Sequence, residues 1–197
     1  GSRLIAASHD VDVISFTGST SVGKDIMRNA ADSVKKLSLE LGGKSCCIVF
    51  PDADIDVVAP RIAAAATIIS GQQCTAARRV LVHASRLGDM KRALTKALAD
   101  LRVGPGLDPQ SQVGPLIDHR SRDLLARRVE EACAAADEVL LAPTVPGGEL
   151  SRGAFLTPSL VHHADPKASF VQEEIFAPFL VLESFETEAG AVAKAND

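Results

Sequence analysis

Tryptophan and tyrosine are missing from this 197-residue chain, which leaves seven phenylalanines as its only phenyl rings. No uninterrupted apolar run reaches the ~18 residues of a membrane span. The first residues carry no basic segment followed by an apolar one, so no secretory signal is expected in this sequence. A basic excess is lacking too: 21 Lys and Arg stand against 25 Asp and Glu, for a net charge of −4. Proteins of nucleic acid or of the membrane surface should show a basic patch, so neither partner is expected. The four cysteines, at 46, 47, 74 and 133, include no CxxC pair of the kind that holds zinc. Neighbours such as Cys46 and Cys47 rarely bridge each other. Free thiols in a reducing, cytoplasmic compartment follow as the simplest expectation. His162 and His163 have no cluster of further ligands around them, so a surface position is expected for both and no metal.

The remaining composition is that of an ordinary globular chain, with 46% hydrophobic and 23% charged residues. The length suffices for one sizeable core or two smaller ones. Periodicity predicts alternating strands and helices. Val11–Phe16 reads as a strand, followed by a helix with Val22, Ile26 and Ala30 on one face. Leu37, Leu39 and Leu41 alternate with Ser38 and Glu40, which predicts a strand with one polar face and puts Glu40 at its end, before Gly42-Gly43. Ser45–Phe50 is a continuous apolar run and predicts a strand buried on both faces, with Cys46 and Cys47 in the core. Asp54 is placed to cap a helix running from about Ile55 to Ser70. A strand at Val80–Val82 precedes a helix capped by Ser85, whose Leu87, Met90, Leu94, Leu98 and Leu101 form a packing stripe. A further helix from about Asp118 to Ala136 turns Leu125, Val129 and Cys133 inward. Short strands are predicted at Glu138–Leu141 and Phe179–Phe185. Pro158 puts the extended run Ala154–Val161 at an edge or a bulge.

Two stretches carry candidate chemistry. The first is Thr17-Gly18-Ser19-Thr20-Ser21-Val22-Gly23-Lys24, between a strand and a helix. Small residues there let backbone N–H groups approach an anion, and a helix N-terminus favours one. Three readings stand open. A P-loop would need Ser or Thr where Asp25 stands, to hold magnesium. A dinucleotide site would lack its usual G-x-G-x-x-G fingerprint. A plain tight turn needs neither. The second stretch is Gly71-Gln72-Gln73-Cys74, a thiol in a short polar turn between an alanine-rich run and a strand. A cysteine there is either packing or a nucleophile, and Arg78 and Arg79 close by would favour the thiolate. A cysteine hydrolase would need a histidine base, and His83 is the nearest, but no Cys-His signature surrounds it.

Taken together, four motifs resemble the aldehyde dehydrogenase superfamily: Phe16–Lys24, Leu39–Lys44, Gly71-Gln72-Gln73-Cys74 and Glu173-Glu174-Ile175-Phe176-Ala177-Pro178. The resemblance runs over essentially the whole chain. It implies an α/β fold, three layers αβα with a mostly parallel sheet, preceded by a partial Rossmann-like unit. Residues 1–43 would be the end of a dinucleotide-binding domain, and 44–197 a thiol-bearing catalytic domain cut short at its C-terminus. The chain would then be an internal segment, inactive in isolation. NAD or NADP would be the cofactor and an aldehyde the substrate, in a parent that is a homodimer or homotetramer.

The same resemblance makes Cys74 the nucleophile that forms a thiohemiacetal and then a thioester, and Glu40 the general base for its hydrolysis. Ser19 would contact the pyrophosphate and Val22 would wall the adenine pocket, with Gly18, Gly23 and Leu41 beside them. Glu174 would hold the nicotinamide ribose and Phe176 would be its apolar neighbour. Gly42, Gly43 and Lys44 would form the hinge. A CoA-acylating enzyme and a non-catalytic module of the same fold remain alternatives. Two positions depart from the pattern. Ala177 replaces a usual glycine and would be strained if φ were positive there. Arg78 replaces a usual small residue and would add positive field near the thiol.

Overall fold

A computed structural model describes residues 2–197, and its internal contacts divide the chain into Gly1–Gly43 and Lys44–Asp197. The first unit runs α1 (Ser2–Ala7), β1 (Val13–Thr17), α2 (Thr20–Ala30) and β2 (Lys36–Glu40). The two strands pair in parallel, Val13 opposite Lys36 and Thr17 opposite Glu40. Ser19 is the N-cap of α2: its backbone is extended and its Oγ accepts the Val22 N–H at 3.4 Å. The helix buries Gly23, Ile26 and Ala30. Val22, expected inward, is 37% exposed. The inward face is set by Gly23 instead, where a Cβ would come within 2.7 Å of the Leu41 side chain. Val34 adopts a left-handed conformation (φ 53°), so the second strand begins at Lys36. Leu37 and Leu39 are half-buried while Ser38 and Glu40 are exposed, as the alternation requires.

The second unit runs β3 (Cys46–Val49), α3 (Ile55–Thr67), β4 (Arg79–His83), α4 (Leu87–Ala99), α5 (His119–Ala135), β5 (Glu138–Leu141), β6 (Ser159–His162), α6 (Ser169–Gln172), β7 (Phe179–Phe185) and α7 (Glu188–Ala195). Its five strands lie in the order β3-β4-β7-β6-β5. Neighbours are parallel except β5 and β6, which are antiparallel. Alternate residues of the central strands serve opposite faces. Val80, Val82, Leu180 and Leu182 pack with Ala59, Ile62, Ala63, Ala66, Met90, Leu94 and Leu98 of α3 and α4. Phe179, Val181 and Val161 pack with Leu125, Val129 and Ala132 of α5. Leu81 and Phe185 meet Ala191 of α7. The result is the αβα layering and mostly parallel sheet expected. One ion pair crosses the central strands: Arg79 Nε lies 2.6 Å from Glu183 Oε1 and Nη2 3.1 Å from Oε2, both side chains buried. Removing either partner would strand a charge in the interior, at a cost of ~3–5 kcal/mol.

Several local expectations are corrected. β3 is an edge strand with one neighbour, so Ile48 is 37% exposed and Cys46 and Cys47 are only half-buried. β6 is interior and not an edge, although its pairing with β5 shifts register between Val139 and Leu141; Pro158 precedes its first residue, where no ladder N–H is lost. Ser85 sits in a short 3-10 turn and caps nothing; instead its N–H is accepted by His83 Nδ1 at 3.3 Å. His163 is buried and not on the surface, its ring 4.9 Å from that of Phe170 and its Nδ1 3.3 Å from Asp137. The helix expected to reach Ser70 ends at Thr67, because Ile69, Ser70 and Gly71 all have positive φ.

Candidate active site

Three successive left-handed residues form an unusual turn between α3 and the thiol. Ile69 (φ 48°), Ser70 (φ 57°) and Gly71 (φ 73°) reverse the chain. An L-residue in this region costs ~1–2 kcal/mol, so two non-glycines persist only where surroundings hold them. Those restraints are visible. Ser70 Oγ donates to the Gly114 carbonyl at 2.9 Å. The Gln72 N–H donates to the Ile69 carbonyl at 2.9 Å. Gln72 Oε1 accepts the Ile117 N–H at 2.9 Å. Gly71 packs so tightly that a Cβ there would lie 2.3 Å from the Ala177 carbonyl carbon and oxygen.

Cys74 follows at the exposed tip of a β-turn closed by the Ala76 N–H on the Gln73 carbonyl, at 3.0 Å. The other three thiols are half-buried. Burial pushes the Cys47 thiol above its ordinary pKa, with Cys46 adding to the effect, and it does the same to Cys133, with Glu130 adding.

Arg78 is the hub of this region. Its side chain is fully buried. Nη1 donates to the Ala177 carbonyl at 2.9 Å, and Nη2 to the Gln73 carbonyl at 3.2 Å and to the Gly71 carbonyl. Nη2 also lies 3.7 Å from Glu174 Oε1, and the guanidinium stands 5.5 Å over the Phe176 ring. Burial pulls its pKa down while Glu174 pushes it back up; a guanidinium stays protonated regardless. Cys74, Glu174 and Phe176 are thus brought into one neighbourhood. Arg78, where a small residue is usual, makes its direct contacts with carbonyls, a carboxylate and the Phe176 ring. Ala177 is unstrained, since it is absent from the residues of positive φ; the glycine that this contact demands is Gly71.

Two further cations hold the Glu173–Glu174 backbone, and the sequence carried no signal for them as a pair. Lys44 Nζ donates to the Glu173 carbonyl at 2.8 Å, and Arg128 Nη1 to that of Glu174 at 3.1 Å. Lys44 is pulled down to about 7, first by burial and then by Arg78, Arg79 and Arg128.

In the first unit, Gly18, Ser19, Val22, Gly23, Glu40 and Leu41 come together at the carboxyl ends of its two parallel strands. The Gly18 N–H donates to the Glu40 carbonyl at 3.0 Å, and the exposed Glu40 side chain ends β2 beside the start of α2. Ligands of open α/β sheets bind at such strand ends.

The sequence matches the aldehyde dehydrogenase family over residues 1–197. The chain belongs to that family. Among its relatives, the mitochondrial succinate-semialdehyde dehydrogenase of Oryza sativa subsp. japonica is 39% identical over 191 residues, 96% of this chain and 36% of that protein. The betaine aldehyde dehydrogenase of Bacillus subtilis is 37% identical over 196 residues, 98% of this chain and 40% of that protein. A crystal structure of Staphylococcus aureus betaine aldehyde dehydrogenase in complex with NAD+ superposes with a TM-score of 0.92 at 33% identity, covering 99% of this chain and 39% of that one. The chain spans about two fifths of the length of the relatives it matches. Among its described residues no helix is long and apolar enough to cross a membrane, and no cluster of His, Cys, Asp or Glu is arranged to hold a metal.

Proposed function

We propose that the protein carrying this segment oxidises an aldehyde to a carboxylic acid with NAD(P), using Cys74 as nucleophile. The observation that carries this reading is the one exposed thiol among the described cysteines, presented on a restrained turn and tied through Arg78 to Glu174. Residues within each unit suit one part of a dinucleotide. Among the described residues the buried Glu174 Oε1 has no hydrogen-bond donor, which suits a carboxylate awaiting hydroxyl groups such as those of a ribose. The N-terminus of α2, capped by Ser19 and flanked by Gly18, Val22, Gly23 and Leu41, suits a pyrophosphate and its adenosine.

In the proposed reaction the Cys74 thiolate adds to the aldehyde carbon, and the carbonyl oxygen takes the electron pair. The backbone N–H of Cys74 stabilises that oxyanion. As the oxygen's electron pair re-forms the C=O bond the C–H bond breaks, and a bound NAD(P) would supply the acceptor for that hydride. This leaves a thioester on Cys74, a covalent intermediate that separates oxidation from hydrolysis. Glu40, at the end of β2, removes a proton from water, whose oxygen then displaces the thiolate and frees the acid. Phe176 offers an apolar wall beside Glu174.

One experiment tests both roles in the full-length protein. Cys74→Ala should abolish aldehyde-dependent NAD reduction while calorimetry still records NAD binding. Glu40→Gln should accumulate an acyl-enzyme, visible as added mass on the Cys74 peptide. Turnover in Cys74→Ala would remove that residue from the mechanism. Unaltered turnover in Glu40→Gln, with no acyl adduct, would remove Glu40.

A further inference from the structure

The peptide group linking Gln73 to Cys74 is held at its carbonyl end and, among the described residues, free at its N–H end. Its carbonyl is held twice, by the Ala76 N–H at 3.0 Å and by Arg78 Nη2 at 3.2 Å. Its N–H belongs to Cys74, and among the described residues no protein group accepts it. A trans peptide is planar, with C=O and N–H pointing in opposite directions. Holding the oxygen therefore aims the hydrogen. We propose that Arg78 is a positioning residue for the oxyanion site: it fixes the plane of the Gln73–Cys74 peptide and so the direction of the Cys74 N–H. The proposal rests on the reading of Cys74 as nucleophile.

Three features make Arg78 suited to this work. A bond from a cation is stronger than one between neutral groups, and it polarises the peptide it reaches, which strengthens the N–H as a donor. The guanidinium is itself immobilised, by the Gly71 and Ala177 carbonyls, by Glu174 Oε1 at 3.7 Å and by the Phe176 ring. Flipping the Gln73–Cys74 peptide would take one carbonyl from a fully buried cation and set an N–H against it, which is costly where no water can substitute. The same side chain also couples the thiol turn to Glu174, so the oxyanion donor and the residue proposed to read the cofactor share one anchor.

Two reagents acting on the same sulfur separate this role from general support. Iodoacetamide is attacked at a saturated carbon: an S–C bond forms, iodide leaves with the electron pair, and no oxyanion develops. p-Nitrophenyl acetate is attacked at its carbonyl carbon: the oxygen takes the electron pair, then returns it as p-nitrophenolate departs, leaving an S-acetyl group. In the full-length protein, Arg78→Met should slow the p-nitrophenolate burst ~10²-fold, the scale of losing one oxyanion donor, while alkylation of the Cys74 peptide by iodoacetamide keeps its rate. Arg78→Lys keeps a cation but not a planar fork able to serve several carbonyls at once. It should slow the burst less, again sparing alkylation, and it carries the test should Arg78→Met fail to fold. A burst as fast as in the unmodified protein, or burst and alkylation falling in parallel, would overturn the role of Arg78. Cys74→Ala distinguishes the underlying reading: a burst that survives in that variant removes the nucleophile itself, whereas one that is lost there but kept in the Arg78 variants removes only the present proposal.

Discussion

At Gly71 a φ of +73° and the Ala177–Pro178 backbone constrain the same absent atom. Gly71→Ala meets both the left-handed penalty and a 2.3 Å approach to backbone that cannot swing aside. The left-handed term alone is ~1–2 kcal/mol, so a loss of at least that size is expected in urea denaturation. An unchanged midpoint would mean that the turn relaxes freely. Lys44 supplies a second prediction, on pH. Its folded pKa, about 7, lies below its ordinary 10.5. Between those values the unfolded chain binds a proton that the folded chain has released, so stability rises with pH across that window. Below pH 7 both states are protonated and the burial penalty is fully felt. Denaturation midpoints of the unmodified protein should therefore gain on those of Lys44→Met as pH rises from 7 towards 10. A difference that stays flat would show that Lys44 titrates normally. Neither effect was legible beforehand. Gly71 could be seen as part of a motif, but its contact with Ala177 joins residues far apart in the chain.

Among the elements, α4 shows the clearest correspondence between pattern and packing. Met90, Leu94 and Leu98 lie on one face and are buried against α3 and the sheet. Leu94→Ala should cost ~2–5 kcal/mol, because a fully buried leucine leaves a cavity. Leu124→Ala on α5, at a site 52% exposed, should change stability by less than ~0.5 kcal/mol. Chemical denaturation of the two variants checks the contrast, and equal losses would show that the stripe is not the core. Patterns failed where an element's place in the sheet mattered. Ser45–Phe50 is apolar enough for a central strand, yet it forms one of the two edges. Strand order depends on pairing between segments remote in sequence, and no local period records it. The end of α3 was missed for another reason: Ile69 and Ser70 are poor candidates for φ > 0, and only their bonds to distant groups make that backbone tolerable.

Considered entire, the segment spans about two fifths of the relatives it matches. Binding a cofactor carries an association cost, ~4–15 kcal/mol, that does not shrink when contacts are removed. A part of the contact set therefore yields much less than its share of the affinity. The 197-residue segment alone is expected to bind NAD far more weakly than the full-length protein and to turn over little aldehyde. Calorimetry on both would check this, and equal affinity would show that these residues are sufficient.

The short helices Ser2–Ala7 and Ser169–Gln172 could not be read along the chain, whereas most strands and the longer helices in their order, the inward faces of α4 and α5, and the four motifs that mark the aldehyde dehydrogenase family could. Each is carried by residues a few positions apart, where periodicity, capping and turn chemistry act. Which strands are the edges, why Gly71 must be glycine, and that Arg78 serves Gly71, Gln73, Ala177 and Glu174 together became visible only in three dimensions. The Arg78 contacts span up to 99 positions of sequence. A buried guanidinium needs several acceptors at once, and the fold gathers them from segments whose local patterns say nothing about one another.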